Sequence, residues 1–537
     1  MLEENDTREG DNASIGPAIL SNDEALLARL GYKQEFRRNF RPIEVFGVGF
    51  SIIGLVPSLA STFVYALPNG GAAALWTACA VLLVIIGLAM AELGSAAPTS
   101  GGLYYWTFMF SSPKWRCFLA WIVGYSNSVG NIASVASVDW GCAVQIMAAA
   151  SIGSDLSFTA TTGQTYGLFM ALLICHGTIC SFDPKIIARL QTPYIVANVL
   201  LCFALIIGLP AATPKEFMNT ASYAFGDFEN FYGWPNGYAF ILSFLYPLWS
   251  IGNTHSTLNS EEATNANVAI PFAIILAATS SSILGWGINV AIAFCMGTDV
   301  GAILDSPVGQ PMATLLLNSF GKKGALALWS LIIVLQFAIG TSMLTACSRQ
   351  IFAFSRDGGL PFSRWLYFVH PRSHTPVHCV WAVVFISLLL GLLGFAGNVA
   401  IGAIFSLVVT GQYIAYSIPI SARYLGGKKI KPGPFSLGKL SLPVAVVAVV
   451  WMIFMVVVFL FPTAPSTTAQ DMNYTVVVLG GTLFLATVYF YFPVYGGVHW
   501  FTGPVSTIDK HDLRPGSESE YTEKKENMSD EESKRVA

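Results

Sequence analysis

Apolar and polar residues in this chain segregate into long blocks. Stretches of about 20 mostly apolar residues, enough for a helix to cross a hydrocarbon core, recur between short polar connections. They fall at Val45–Leu67, Ala73–Ala96, Cys117–Ala149, Tyr166–Cys180, Ile186–Leu209 and Gly237–Thr254. The others are Ile270–Met296, Ala325–Phe354, Pro376–Phe395, Val399–Arg423, Leu440–Phe461 and Tyr474–Tyr495. The pattern predicts an all-α membrane protein of about twelve spanning helices. Residues 45–500 form the membrane body, residues 1–44 a cytosolic tail with an amphipathic segment, and residues 501–537 a disordered cytosolic tail.

Charge orients this body. Arg37, Arg38 and Arg41 precede the first segment, and Lys114 and Arg116 follow the second. Lys185 and Arg189 follow the fourth, Arg349, Arg356, Arg364 and Arg372 the eighth, and Arg423, Lys428, Lys429, Lys431 and Lys439 the tenth. The opposite connections hold Lys215, Lys322 and Lys323. Positively charged loops stay in the cytosol, so both termini are expected there. The sequon Asn473-Tyr474-Thr475 then falls in an outer loop. The polar first forty residues do not read as a cleavable signal, so the first apolar segment serves as the membrane signal.

Composition narrows the classes. Hydrophobic residues make up 54% of the 537 and charged residues 11%, against roughly 25% charged in a soluble domain. Such a chain lacks the charged skin that water solubility needs. A net charge of −3 offers phosphates no basic surface, which argues against nucleic acid as a partner. The nine cysteines are scattered through apolar stretches without a C-x-x-C pair, so neither a disulfide framework nor a metal site is suggested, and no cofactor is expected. The end of the chain, rich in Ser, Glu and Lys, is expected to stay solvated. Its lysines, Lys524 and Lys525, are candidate ubiquitin acceptors for trafficking machinery.

Two segments are interrupted. The first carries Ser51, Ile53, Gly54, Pro57 and Ser58; the sixth carries Pro247, Trp249, Gly252, Asn253 and Thr254. Proline lacks the helical N–H, and unwound backbone is tolerated in a bilayer only where it is buried in protein or lines a cavity. Breaks in segments one and six are the mark of two inverted five-helix repeats with a binding site between them. Bland packing by Gly and Pro is the competing account.

Three stretches resemble the fungal amino acid/choline transporter family, the GABA, choline and polyamine permeases of the APC superfamily. They are Asp23–Phe40 leading into Phe46-Gly47-Val48-Gly49-Phe50-Ser51, Ala91-Glu92-Leu93-Gly94 through Trp106, and Ser348-Arg349-Gln350 through Pro361 with Thr375-Pro376. The resemblance covers about residues 20–500. It implies a LeuT-like fold of five plus five helices and two more, no enzymatic activity, and proton-driven uptake. The acidic Glu261-Glu262 exit of the sixth segment fits the family, whereas Asn253-Thr254-His255 stands where relatives often carry an aromatic–acidic pair.

The remaining candidates follow from chemistry. Glu92, Arg349, Arg356 and Asp357 sit at cytosolic helix ends and are expected to form an inner latch of ion pairs, with a static cap as the alternative. His255 is the first candidate for carrying a proton, Glu261 or Glu262 the second and Glu92 the third, because a coupling group must change charge near working pH. Asn127, Asn131, Ser134 and Val138 form a largely polar stripe facing the bundle. Asp139 lies about 120° off it and, like His176, is expected at an interface. Trp249 offers a cation–π face. Free amides of Leu55 and Val56 and the Ser58 hydroxyl are expected to point into a cavity as an anion site. A small amino acid such as GABA, with protons as co-substrate, is therefore the leading substrate, ahead of choline or a polyamine. A nutrient-sensing receptor on the same scaffold is the alternative class. The plasma membrane is the expected location and the vacuolar membrane the alternative.

Overall fold

The computed structural model describes residues 42–505 apart from 70–71, 100, 183, 227, 232, 253–262, 428–431, 466–467 and 469–471. Asn253, Thr254, His255, Glu261 and Glu262 therefore lie outside the described residues, as do both tails up to Arg41 and from Ser506.

Apolar sequence becomes helix because a bilayer offers backbone amides no other partner. The described body is all-α. Its principal helices are α1 (Pro42–Ile53), α2 (Leu55–Ala66), α3 (Ala72–Ala96), α4 (Gly102–Phe110), α5 (Arg116–Gly153), α6 (Thr162–Ser181) and α7 (Pro184–Ala212). They continue with α8 (Asn236–Leu242), α9 (Leu245–Gly252), α10 (Ala266–Cys295), α11 (Pro311–Arg356), α12 (Val377–Gly391), α13 (Asn398–Leu425), α14 (Ser441–Leu460) and α15 (Thr475–Tyr491). Nine helical spans among the described residues are long and apolar enough to cross a membrane. Helix α6, the α8–α9 pair and α15 occupy the remaining expected positions.

Local signals set several ends. Thr161 and Gln164 form a reciprocal capping box at the start of α6. Pro311 opens α11, which bends at Gly321 (φ 65°, ψ 175°) before entering the bundle, so this helix starts well ahead of the expected Ala325. Asn473 of the sequon is buried, and its carboxamide donates to the carbonyls of Phe459 (2.7 Å) and Phe461 (2.9 Å).

The packing places the two interrupted segments against each other. Helix α2 packs on α9, α3 on α10 and α5 on α11, the pairing expected when each helix of one five-helix repeat meets its counterpart in the other. Helix α13 crosses both α5 and α9. At Gly411 a Cβ would stand 3.1 Å from the Gly130 Cα, and Ser126 Oγ donates to the Gly411 carbonyl at 2.7 Å. Small residues let α5 and α13 touch along their backbones.

Candidate functional site

The first break is a single residue. Gly54 adopts φ 43°, ψ 62° between α1 and α2, a left-handed conformation that costs other L-residues roughly 1–2 kcal/mol. Its N–H still donates to the Phe50 carbonyl at 3.0 Å, and its carbonyl accepts from Ser58 N–H at 2.9 Å. Leu55 and Val56 thus stand at a fresh helix N-terminus, where amides lack intrahelical acceptors. The Ser58 hydroxyl differs from expectation: it donates back to the Ile53 carbonyl at 2.5 Å, capping the end of α1. Ser51 is buried, and its hydroxyl has no partner among the described residues. A Cβ on Gly54 would collide with the Ile339 side chain, so this glycine faces α11 rather than open space.

The second break spans Ser243–Phe244, between α8 and α9, and the described part of α9 runs to Gly252. Trp249 is buried; its indole N–H donates to Ser137 Oγ of α5 at 3.2 Å. Its ring lies 5.2 Å from that of Phe405, which lies 5.0 Å from Tyr65. Thr62 and Ser250 hydroxyls, 3.5 Å apart, tie α2 to α9. Pro57, Ser58, Trp249 and Gly252 are all buried.

A chain of polar groups leads to Gly252. Asn131 Nδ2 donates to Asn127 Oδ1 (3.2 Å), and Gln412 Nε2 donates to Asn131 Oδ1 (3.3 Å). Tyr416 Oη stands 2.9 Å from Gln412 Oε1 and 3.4 Å from the Gly252 carbonyl. The fully buried Tyr413 hydroxyl has no partner among the described residues and stands 3.8 Å from where a Gly252 Cβ would be. Asn131 was legible from its stripe; Gln412, Tyr413 and Tyr416 were missed, although Gln412 and Tyr416 lie at i, i+4 spacing in an otherwise apolar segment. The change Tyr416→Phe removes one link while keeping the ring. A lost buried hydrogen bond costs about 1.5 kcal/mol, so uptake KM should rise about tenfold at unchanged surface expression. An unchanged KM would separate this chain from substrate binding.

The expected latch takes a different form. Glu92 is buried and pairs with Arg423, Oε2 to Nη1 2.9 Å, rather than with Arg349 or Arg356. It also accepts from Leu437 N–H (2.8 Å) and the hydroxyls of Ser436 (3.2 Å) and Ser441 (2.6 Å). Ser95 Oγ accepts from Phe435 N–H at 3.0 Å and donates to the Asn267 carbonyl at 2.9 Å. Together these strap the α13–α14 connection across the end of α3. Asp357, at the end of α11 with buried Arg349 and Arg356, accepts from the Tyr104 hydroxyl (2.6 Å) and Val505 N–H (3.1 Å).

Two other placements also depart from expectation. Asp139 and His176 are fully buried and face each other at 2.8 Å, not at an interface. The larger cavities described, of about 560 and 480 Å³, lie on apolar flanks beside Trp115 and Ile453 and beside Phe272 and Phe435, away from the breaks.

Two broken helices meeting across buried polar groups, inside a bundle of apolar helices, define a multi-pass membrane carrier. The amino acid permease family model matches residues 43–483, and the chain belongs to that family. It is similar to an uncharacterized amino-acid permease of Schizosaccharomyces pombe, at 38% identity over 95% of this chain and 93% of the relative. It is also similar to the GABA-specific permease of Saccharomyces cerevisiae, at 37% identity over 96% of this chain and 90% of the relative. Amino-acid permease 2 of Neurospora crassa is 35% identical over 90% of each chain. These relatives are transporters, not enzymes.

Proposed function

We propose that this permease takes up a small amino acid with a free carboxylate and an ammonium group, GABA foremost, driven by a proton gradient across the plasma membrane with both termini in the cytosol. The helix start beyond Gly54 and the buried Trp249 carry this reading. Helix α2 begins at Leu55 beyond the Gly54 break, and helix N-termini carry partial positive charge suited to carboxylates. The buried Trp249 ring of α9 offers an aromatic face to an ammonium. Choline and polyamines lack the carboxylate and call for an acidic side chain at the break; the described residues there supply none. The resemblance to a GABA-specific permease points the same way. Competition tests it: excess GABA should block radiolabelled uptake in permease-deficient cells, while choline and putrescine should do so poorly. Inhibition by choline, with none by any amino acid, would overturn the assignment.

A further inference from the structure

Asp139 on α5 and His176 on α6 approach within 2.8 Å, Oδ1 to Nδ1, with both side chains 0% exposed. The two atoms are within ion-pair distance yet not aligned for a hydrogen bond, and Asp139 Oδ2 and His176 Nε2 have no partner among the described residues. Charge buried this deeply in a membrane bundle is expensive and marks a functional group. Two neutral amides would bridge the same helices without that cost. Of the side chains that titrate, histidine is the one that ordinarily does so near neutral pH, and a close acid–base pair takes up and releases protons as a unit.

Its surroundings connect the pair to both interrupted segments. Gly340 of α11 lies directly over it: a Cβ there would stand 2.6 Å from Asp139 Oδ1 and 2.9 Å from His176 Nδ1. The Phe337 ring closes the next turn, 4.2 Å from the imidazole. Ile339, the neighbour of Gly340, abuts Gly54. On α5, Ser137 holds the Trp249 indole (3.2 Å) and the Val138 carbonyl accepts from Gln336 of α11 (2.9 Å). Among the described residues, the thiols of Cys142 on α5 and Cys180 on α6 also face this region; the Arg349 guanidinium of α11 acts on Cys180. Helix α12 contributes the apolar Val384 and Trp381, which pack at Gly177.

We propose that Asp139 and His176 form the proton-binding site that couples the gradient to the Gly54 hinge, a role that rests on the carrier reading above. One proton from the outer water converts aspartate with neutral histidine, a single negative charge, into a neutral pair sharing that proton. The proton leaves to the cytosolic side when the site reopens inward. With the charge cancelled, α11 packs tightly over the pair at Gly340 and carries Ile339 against Gly54; with the charge restored, that packing loosens.

Two measurements on the full-length protein test this. In detergent without substrate, thermal midpoints are recorded between about pH 5 and pH 8, the range in which histidine changes charge. The gap between wild type and Asp139→Asn or His176→Gln should vary with pH; parallel curves would overturn the proposal. In reconstituted vesicles, one proton per substrate and one pH unit of gradient support about tenfold accumulation. The same variants should exchange GABA across the membrane yet fall to simple equilibration. Gly340→Ala keeps both titratable groups but displaces them, so it should lose accumulation even if the other variants fold poorly. Concentrative uptake with unchanged pH dependence in all three variants sinks the proposal. If wild type accumulates no amino acid while the midpoints diverge with pH, the substrate reading fails and the coupling pair stands.

Discussion

Replacing Gly54 with alanine is expected to reduce uptake by between about thirtyfold and five-thousandfold. Two costs combine. The left-handed backbone at φ 43° disfavours a side chain by roughly 1–2 kcal/mol, and a Cβ driven into Ile339 adds about 1–3 kcal/mol of overpacking. Both fall on the joint between α1 and α2, so the loss should appear in transport more than in delivery to the membrane. Pairing Gly54→Ala with Ile339→Ala relieves the collision but not the backbone strain, and should restore part of the rate. Initial uptake rates normalised to surface protein measure this. A single variant with wild-type kinetics would show that the joint does not need its left-handed residue.

Glu92→Ala is expected to be destructive in another way. Its carboxylate collects Arg423, the Leu437 amide and two serine hydroxyls at the edge of the bundle. Removing it leaves a guanidinium only 17% exposed without its counter-charge, a loss of about 3–5 kcal/mol for a buried pair. The α13–α14 strap should detach. A fluorescently tagged variant should be retained inside the cell and elute as aggregate on size exclusion, while Glu92→Gln, which keeps an acceptor for the amide, should be milder. A Glu92→Ala protein that elutes and transports like wild type would show the strap to be dispensable.

The spans were readable because membrane helices are written in long apolar blocks, and the Gly54 break because a glycine three residues before a proline interrupts one of them. Partners across the bundle were not readable in this way. Periodicity set Asp139 about 120° off the polar stripe, but an angle on one helix says nothing about what the neighbouring helix brings, and His176 lies 37 positions on with no pattern linking the two. An acid in one apolar segment and a histidine in the next was the only available signal. Glu92 was grouped with Arg349 and Arg356 because all end helices on one membrane face, yet its partner Arg423 comes from a segment more than three hundred residues away. The Ser58 hydroxyl was misread for a different reason: a serine four residues past a broken turn can satisfy the orphan carbonyl of that turn, and here it does.

Asn473 has a consequence for how the chain matures. Its amide nitrogen, the atom to which an N-linked glycan would be attached, already donates to the two carbonyls that end α14, and Thr475 N–H donates to its side-chain oxygen at 3.1 Å. Glycosylation of Asn473 would cost the α14–α15 turn one of the two hydrogens that hold it.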